Sequence, residues 1–437
     1  MSSQYPPDHE AGRRVAVSLT PVSLDSDSRA FRIAGSLADA GFRSVVVEGR
    51  ASSDRFWGEA IEVRSIARPK AVSPRLAPIK TPYRRVLGSL RAGHFGWPGE
   101  QALYIGFRGC DWWRHCRRPN RLLPEAELYY VHSFELYRAA APLAARLGAG
   151  IIYDAHDFYR GIQPTERQPP FDRNCLRPFL DRLEDRVVAA ADGVVTVSEG
   201  VAGLIERAFG RRATVIRNCH DERRDRAVAP PLRTVLGLSA EDRLCVVVGN
   251  CKPGMAISVV ADAFALLPER FHLAFLGRGY ETMAAKLPHH PAASRLHLGH
   301  FAAPDAIVPS IRSADIGLVI YEPYSENYRY ALPNGFFQIV AAGLPIVRGH
   351  LPEIEAAIGD HPVGVCLPHL DQATLAQAIL RCAEDAAALR ANAAALAREL
   401  RWETEAARLR SLIDSVVADS TPVAMDTTAR EHSRHRG

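Results

Sequence analysis

YEPYSENYRYALPNGFFQIVAAGLPIV, residues 321–347, carries the strongest fold signal in the chain. Pro323 and Pro333 exclude a regular helix or a central strand from its first half, so we predict a loop there. After Asn334 the run GFFQIVAA can form a short helix, with Asn334 as its N-cap and Gly343 turning the chain out of it. Unpaired backbone N–H groups in the first turn of such a helix, together with the helix dipole, favour an anion such as phosphate.

Short apolar runs alternate with helical patterns on the N-terminal side of this segment. Residues 14–19, 28–40 and 42–48 have the patterns of a strand, a helix and a strand, and the alternation resumes over 128–218 and again from 244 onwards. Strand, helix and strand at this spacing form a right-handed βαβ unit in a parallel sheet. The first turn lacks G-x-G-x-x-G, so no dinucleotide fingerprint is predicted.

Length and composition indicate two domains. The 437 residues exceed what one core usually holds, and a hydrophobic share of 47% with 24% charged residues is typical of a globular protein. A charged segment after Asn218 contains Pro230 and Pro231 and lacks periodicity, which favours a linker. We predict an N-terminal domain over residues 1–225, a C-terminal domain over 236–400, a final helix over 401–418 and a disordered tail over 419–437.

The sequence also predicts a cytoplasmic chain without metal or resident cofactor. No apolar run reaches about 18 residues, which excludes a transmembrane helix, and the start MSSQYPPDHEAGRR lacks the apolar core of a signal peptide. The eight cysteines have neither a CxxC pair nor a zinc spacing, which favours reduced, mostly buried thiols. No metal is predicted, on the expectation that no Asp-x-Asp pair lies beyond a strand where it could bridge a diphosphate to a divalent ion.

Polar residues directly after two predicted strands indicate a cleft. His132 and Glu135 follow the run LYYV, and Asp154, His156 and Asp157 follow the run GIIY. Loops at the carboxyl ends of parallel strands converge on one edge of the sheet, so we expect these side chains at or near a cleft. A histidine at a strand end is also typical of a structural hydrogen bonder, and that alternative stays open.

Two segments resemble a known enzyme family. The pattern YxxxxxNYRYALPN, followed by FF, an amide and AAGLPIV, is similar to the donor-site segment of family-four retaining glycosyltransferases. The order of an acidic helix, AADGVVTVS, a helix and VIRN is similar to the end of the N-terminal domain in the same family, with residues 215–218 as its last strand. Ser198 is the predicted N-cap of the second of these helices. The resemblance implies the GT-B architecture, in which two Rossmann-like α/β domains face each other across a cleft and a closing helix crosses back to the first domain.

The resemblance implies a function as well. It predicts transfer of a sugar, with retained anomeric configuration, from a nucleotide-sugar donor to a glycan, a lipid-linked acceptor or a small molecule, in polysaccharide or glycoconjugate biosynthesis. Nucleic acid is not a predicted partner, because a net charge of +5 is too small to indicate one.

The resemblance assigns donor binding to five residues of this chain: Lys252, Tyr330, Asn334, Gly335 and Gln338. In the family's E-x7-E pattern the first Glu contacts the sugar and the second contacts the ribose, and those positions fall on Tyr330 and Gln338. The branch with NYRYALPN normally continues as PNK and FFE, whereas this chain has Gly335 and Gln338. A neutral amide forms a hydrogen bond roughly half as strong as a carboxylate does, so weaker donor binding is expected.

On the acceptor side the family often shows His-x-His after a strand, and here the sequence is VHSFE. Phe134 then takes the position of the catalytic-side histidine and His132 takes the other, with His156 as the alternative catalytic residue. Glu135 and Asp157 are assigned to the acceptor side. These departures leave a competing hypothesis, a catalytically degenerate partner or regulator of an active enzyme; a nucleotide-sugar epimerase is a third reading that no feature favours.

Basic residues are concentrated in residues 63–98, where no acidic residue occurs. The cations of this basic segment are Arg64, Arg68, Lys70, Arg75, Lys80, Arg84, Arg85 and Arg91, and five arginines with Trp112 and Trp113 extend the excess. Cations mixed with aromatic residues suit an anionic membrane or a phosphorylated acceptor. We therefore predict peripheral contact with the inner face of a membrane through residues 64–91, with a solvated loop as the alternative.

The membrane prediction is tested by charge reversal. We expect the wild type to sediment with vesicles that contain anionic lipid, and this binding should weaken as the salt concentration rises. The double variant Arg84→Glu/Arg85→Glu should lose the binding, because each cation near the lipid contributes about 1 kcal/mol. Arg381→Glu/Arg398→Glu, in the predicted C-terminal domain, is the matched control. Equal binding by the wild type and both variants would identify the segment as a solvated loop.

Overall fold

The structure, a computed structural model, describes residues 14–52, 57–58, 60–65, 122–162, 173–174, 177–226, 228–252 and 254–420. Within these residues the chain forms two parallel β-sheets with helices between the strands, which confirms the predicted pair of Rossmann-like α/β domains. The basic segment beyond Ser65 and the tail from residue 421 lie outside the described residues. No helix of the described part is long and apolar enough to cross a membrane.

The first sheet is built around its opening strand. Its strands are β1 (Val15–Thr20), β2 (Arg43–Glu48), β3 (Ile61–Ser65), β4 (Leu128–Val131), β5 (Gly150–Asp154), β6 (Gly193–Thr196) and β7 (Thr214–Val215), with helices α1 (Ser28–Asp39), α2 (Phe134–Leu147), α3 (Arg177–Ala190) and α4 (Glu199–Phe209). The order is β3-β2-β1-β4-β5-β6-β7, and every neighbouring pair is parallel. The strand order reverses at β1, so a crevice is expected at its carboxyl end.

The second sheet repeats this plan. Its strands are β8 (Arg243–Val248), β9 (Phe271–Leu276), β10 (Leu296–His300), β11 (Ile316–Val319), β12 (Ile346–Arg348) and β13 (Gly364–Cys366), in the order β10-β9-β8-β11-β12-β13. The remaining helices are α5 (Leu232–Val235), α6 (Ile257–Ala265), α7 (Glu281–Lys286), α8 (Ile307–Ile311), α9 (Glu326–Arg329), α10 (Asn334–Ala341), α11 (Pro352–Ile358), α12 (Gln372–Glu384), α13 (Ala386–Glu399) and α14 (Trp402–Asp419). Here the order reverses at β8, which again places a crevice at its carboxyl end.

Local sequence accounts for several helix ends. Ser198 caps α4, since its Oγ accepts a hydrogen bond from Val201 N at 3.3 Å, as predicted. Gly343 has a φ of 68° directly after α10, also as predicted, because a left-handed residue turns the chain out of a helix with little strain in glycine. The five described cysteines are free thiols, and three of them are buried.

The last strand of the first sheet is shorter than predicted. The run 215–218 was expected as a strand, but β7 ends at Val215 because Arg217 N donates to Glu405 Oε2 of α14 at 3.0 Å and leaves the ladder. The predicted linker contains a 3-10 turn, Glu222–Arg224, whose start Asp221 caps. The boundaries at residues 225 and 236 stay a prediction, with one sheet ending at Val215 and the other beginning at Arg243.

Helix α14 packs against the first domain after the second domain is complete. Trp402 is fully buried, and its Nε1 donates to Ser36 Oγ of α1 at 2.9 Å. The Arg32 guanidinium lies over the same ring at 5.5 Å from the centroid. At the other end of the helix, Val416 lies against Gly150 at the start of β5. The chain therefore returns to the first sheet, in the manner of a helix that crosses back.

We expect Trp402→Ala to lower the free energy of unfolding by about 3–5 kcal/mol, because it empties a fully buried site that joins α14 to α1. Trp402→Phe keeps most of the ring and loses the hydrogen bond to Ser36, so its expected cost is near 1 kcal/mol plus a small cavity term. Urea unfolding followed by circular dichroism measures both variants. Equal and small losses would show that α14 does not depend on this anchor.

Candidate active site

A cavity of about 340 Å³ lies between the carboxyl ends of the two sheets. The first domain contributes the loop after β1 and the segment after β5, and the second contributes the turns after β8 and β9 and the start of α10. This volume falls in the range of small-molecule sites. Its charged lining residues are Asp25, Asp27, Arg29, Asp157 and Lys252.

Four of the five predicted donor residues line this cavity, namely Lys252, Asn334, Gly335 and Gln338. Tyr330 does not belong to the lining. Its backbone oxygen accepts a hydrogen bond from Ser198 Oγ at 3.1 Å, and its ring lies against Gly200 at the start of α4. Tyr330 therefore belongs to the contact between the domains, because α9 ends one residue before it and directs it toward α4.

Asn334 is the first residue of α10 and not its N-cap, which corrects the sequence expectation. The N-cap is Pro333, which makes no side-chain capping bond. Asn334 Oδ1 instead accepts a hydrogen bond of 2.6 Å from Arg32 Nη2 of the first domain. The Asn334 side chain binds Arg32 and not the helix end, because the charged guanidinium is a stronger hydrogen-bond donor than a backbone N–H group.

Gly335 is explained by close packing. A Cβ atom at this position would lie less than 3.0 Å from the carbonyl oxygen of Val248, the last residue of β8. The lysine that the family's motif carries here cannot be accommodated with this backbone. One turn further on, Gln338 is 3% exposed, and its Nε2 makes a long contact of 3.4 Å with Ser28 Oγ across the domain boundary.

The predicted acceptor residues separate into two groups. His156 and Asp157 line the cavity, and the two side chains approach to 3.9 Å between Nε2 and Oδ2. His132 and Glu135 are outside the lining. His132 is 1% exposed, with Nδ1 3.5 Å from Asp154 Oδ2, so it lies beneath the cleft floor.

Phe134, which takes the position of the family's histidine, is also buried away from the cavity. Its ring packs edge-on against Tyr159, with 5.1 Å between ring centroids. The aromatic ring belongs to the hydrophobic core of the first domain. Of the two histidines predicted as catalytic, His156 is the one that faces the cavity.

An Asp-x-Asp pair does follow a strand, contrary to the sequence expectation. Asp25 and Asp27 come shortly after β1 and both line the cavity. Asp25 Oδ1 accepts from Ser23 Oγ at 2.6 Å, and Asp27 caps α1 by accepting from Ala30 N at 3.0 Å. Both carboxylates are therefore engaged in holding the loop and the helix start.

A buried arginine pair at the cleft floor was missed by the sequence analysis. Arg29 and Arg32 lie on α1 and are each 3% exposed. Arg29 Nε donates to Asp154 Oδ2 at 2.7 Å, while Arg29 Nη1 and Arg32 Nη2 donate to the same Asn218 Oδ1 at 3.0 and 3.1 Å. The available signal was two basic residues three apart in the helix that follows the switch-point strand.

Electrostatics in the cleft follow from these positions. Burial lowers the pKa of Arg32 to about 10, and the neighbouring Arg29 charge acts in the same direction. Burial opposes ionisation of Asp154, but the Arg29 guanidinium and His132 outweigh it and hold the pKa of that carboxyl below its ordinary value. Across the cleft, the Asp157 carboxylate raises the pKa of Lys252, whose side chain is exposed toward the cavity.

Asn327 joins the two domains at the cavity wall. It is 6% exposed and lies on α9 of the second domain. Its Oδ1 accepts from Phe158 N at 2.7 Å, and its Nδ2 donates to Asp157 Oδ1 at 3.0 Å. One amide therefore fixes both the backbone and a side chain of the segment that carries His156.

Part of the first domain matches a known family model. Residues 27–219 match the family model described as a glycosyl transferase 4-like domain. The search of curated proteins found no match. The predicted resemblance to family-four glycosyltransferases is thereby confirmed.

Solved structures agree with this fold. The chain is similar to a sucrose-phosphate synthase from Thermosynechococcus elongatus, with 15% identity, a TM-score of 0.63 and coverage of 93% of this chain and 100% of the other. It is similar to Anabaena HepE in complex with UDP-glucose, with 16% identity, a TM-score of 0.60 and coverage of 92% and 100%. It is also similar to WaaG, a glycosyltransferase involved in lipopolysaccharide biosynthesis, with 14% identity, a TM-score of 0.58 and coverage of 93% and 100%. The predicted GT-B fold is confirmed.

We expect Asn327→Ala to weaken the contact between the domains, because two hydrogen bonds of about 1 kcal/mol each are lost, one of them to a carboxylate. Small-angle X-ray scattering should report a larger radius of gyration for the variant. Asn392→Ala is the matched control, since Asn392 Nδ2 donates to Pro362 O within the second domain and makes no hydrogen bond to the first domain among the residues that the structure describes. An unchanged radius of gyration for Asn327→Ala would show that these two hydrogen bonds do not hold the domains together.

Proposed function

We propose that this chain, which has the GT-B fold and matches a glycosyl transferase 4-like domain over residues 27–219, is a retaining glycosyltransferase. It moves a sugar from a nucleotide-sugar donor to a glycan, a lipid-linked acceptor or a small molecule. One observation carries the proposal: the start of α10, Lys252 and His156, which lie in three separate segments of the sequence, line the same cavity between the two sheets.

Donor binding is proposed for the second-domain side. The diphosphate gains negative charge as the glycosidic bond breaks, so the site needs cations and N–H donors aimed at it. Lys252 supplies a cation that is exposed to the cavity, and Asn334 and Gly335 supply the first backbone N–H groups of α10. Gln338 offers an amide for a ribose hydroxyl.

Acceptor binding is proposed for the first-domain side. His156 and Asp157 lie on the segment after β5, and Asn327 holds that segment in place. In the transfer step the acceptor oxygen forms a bond to the anomeric carbon while the bond from that carbon to the diphosphate breaks. The acceptor proton passes to the departing phosphate oxygen, and His156 and Asp157 orient the sugar.

The similar solved structures support proposals for the donor nucleotide and for the biosynthetic role. HepE is solved with UDP-glucose, which favours uridine diphosphate sugars as the first donors to test. WaaG is involved in lipopolysaccharide biosynthesis, which supports assembly of a polysaccharide or glycoconjugate here. A cytoplasmic location with peripheral membrane contact through residues 64–91 fits such an acceptor, and the basic composition of that segment supports it.

The alternative is a degenerate partner of an active enzyme. Gly335 has no room for the family's lysine, and Phe134 is packed in the core where the family has a histidine. Both changes remove a polar group that the family places at the site. The two functions differ in one measurable property, which is binding of a nucleotide sugar.

A thermal-shift screen over nucleotide sugars and nucleoside diphosphates tests the proposal. We expect at least one ligand to raise the melting temperature of the wild type, since a ligand that binds only the folded state stabilises it. Lys252→Ala should weaken binding by roughly 10- to 100-fold, because a charged hydrogen bond contributes about 1.5–3 kcal/mol.

Arg398→Ala is the control, since it removes an exposed positive charge from α13, outside the cavity lining. Conversion of the stabilising nucleotide sugar to free nucleotide then distinguishes a transferase from a binder. No shift with any ligand would support the partner hypothesis.

A further inference from the structure

We propose that Arg29 is the second cation of the site and holds a phosphoryl group of the ligand from the first-domain side. Arg29 lines the cavity although it is 3% exposed. Its Nε and Nη1 are engaged by Asp154, Ile216 O and Asn218. Its Nη2 is buried and has no hydrogen-bond partner among the described residues. An unpaired guanidinium donor at a cavity wall needs an acceptor, which a bound anion supplies.

The arginine pair has few hydrogen-bond acceptors. Arg29 and Arg32 meet at one neutral acceptor, Asn218 Oδ1, and among the described residues Asp154 is the one carboxylate hydrogen-bonded to either guanidinium. Asp27, which lines the same cavity, acts on both arginine charges without a hydrogen bond to either, so nearby negative charge is present as well. The case for an anion therefore rests on the unpaired Nη2 donor of Arg29, because a buried donor without an acceptor is costly.

The helix start completes the binding geometry. Arg32 Nη2 donates to both Asn218 and Asn334, so the arginine pair adjoins the first residue of α10. Asn334 and Gly335 line the cavity, and α10 presents its first N–H groups there. A planar guanidinium and a helix N-terminus both suit phosphate oxygens better than sugar hydroxyls.

This assignment also accounts for the missing lysine of the motif. Gly335 approaches Val248 O too closely to carry a side chain. A cation cannot come from that position, and the first domain brings Arg29 and Arg32 to the same helix start. The inference rests on the proposed function, because the phosphate belongs to a ligand of that cavity, either the donor diphosphate or a phosphate on the acceptor.

Binding of small anions tests the assignment without any need for sugar transfer. The variant is Arg29→Lys, which keeps a cation beside Asp154 and removes the unpaired nitrogen. Asn218→Asp is a second variant; it preserves shape and adds a carboxylate beside both guanidinium groups. Arg14→Lys is the matched control, since Arg14 also pairs with a carboxylate, Glu127, but is exposed. The probes in calorimetry are UDP, inorganic pyrophosphate, glucose 6-phosphate and uridine.

We expect Arg29→Lys and Asn218→Asp each to weaken binding of UDP and pyrophosphate by about tenfold or more, with Arg14→Lys unchanged. A loss confined to glucose 6-phosphate would support the same anion site with the acceptor as its source. Binding of UDP and pyrophosphate by both variants at wild-type affinity would overturn the assignment and leave the proposed function intact. If no probe binds the wild type, both proposals fail. Should Arg29→Lys not fold, Asn218→Asp decides alone.

Discussion

The two domains are held in register by a partly buried hydrogen bond that joins residues 302 positions apart in sequence. Arg32 Nη2 donates to Asn334 Oδ1 at 2.6 Å and to Asn218 Oδ1 at 3.1 Å. A guanidinium removed from water needs acceptors for its N–H groups, so this contact constrains where the second domain can lie. The cavity takes its shape from that constraint, because its floor is α1 and its opposite wall is the start of α10.

Other interdomain contacts surround this bond. Glu353 Oε1 accepts from Gly200 N at 2.8 Å at the start of α4, and Arg278 Nη1 donates to Ser26 Oγ at 3.0 Å. Each belongs to a loop or a helix end, where an opening motion would separate it first. In the Arg32 contact one partner, Arg32, lies within α1, and the other, Asn334, is the first residue of α10.

Sequence periodicity predicted the sheets because each strand and helix is specified by its own apolar pattern. The first strand, its helix and the second strand lie where residues 14–48 indicated, and so does helix 334–341. The loop expected before that helix was wrong in part, because Ser325 caps the short helix α9 between Pro323 and Pro333. Both domains could therefore be predicted from residues that are near each other in sequence. The same holds for the helix end at Gly343.

The details that were missed depend on distant partners. Asn334 fails as a cap because of Arg32, β7 is cut short by Glu405, and Tyr330 is held against α4 by Ser198. No local pattern contains these pairings. The sequence also could not show that His132 is buried beneath the cleft. That position depends on its contact with Asp154 and on the pairing of β4 with β5.

The charges of the cleft divide according to the chemistry that each part of a nucleotide sugar needs. Arg29 and the first residues of α10 lie where a diphosphate would be held in the proposed complex, while Asp157 lies on the segment with His156, where sugar hydroxyls need acceptors. Lys252 belongs to the other domain, and its charge and that of the Asp157 carboxylate act on each other across the cleft. In the proposed complex a phosphate held by Arg29 and Lys252 contacts both domains at once. The ligand would then favour the closed arrangement through its own charge, because each domain alone supplies only part of the neutralisation.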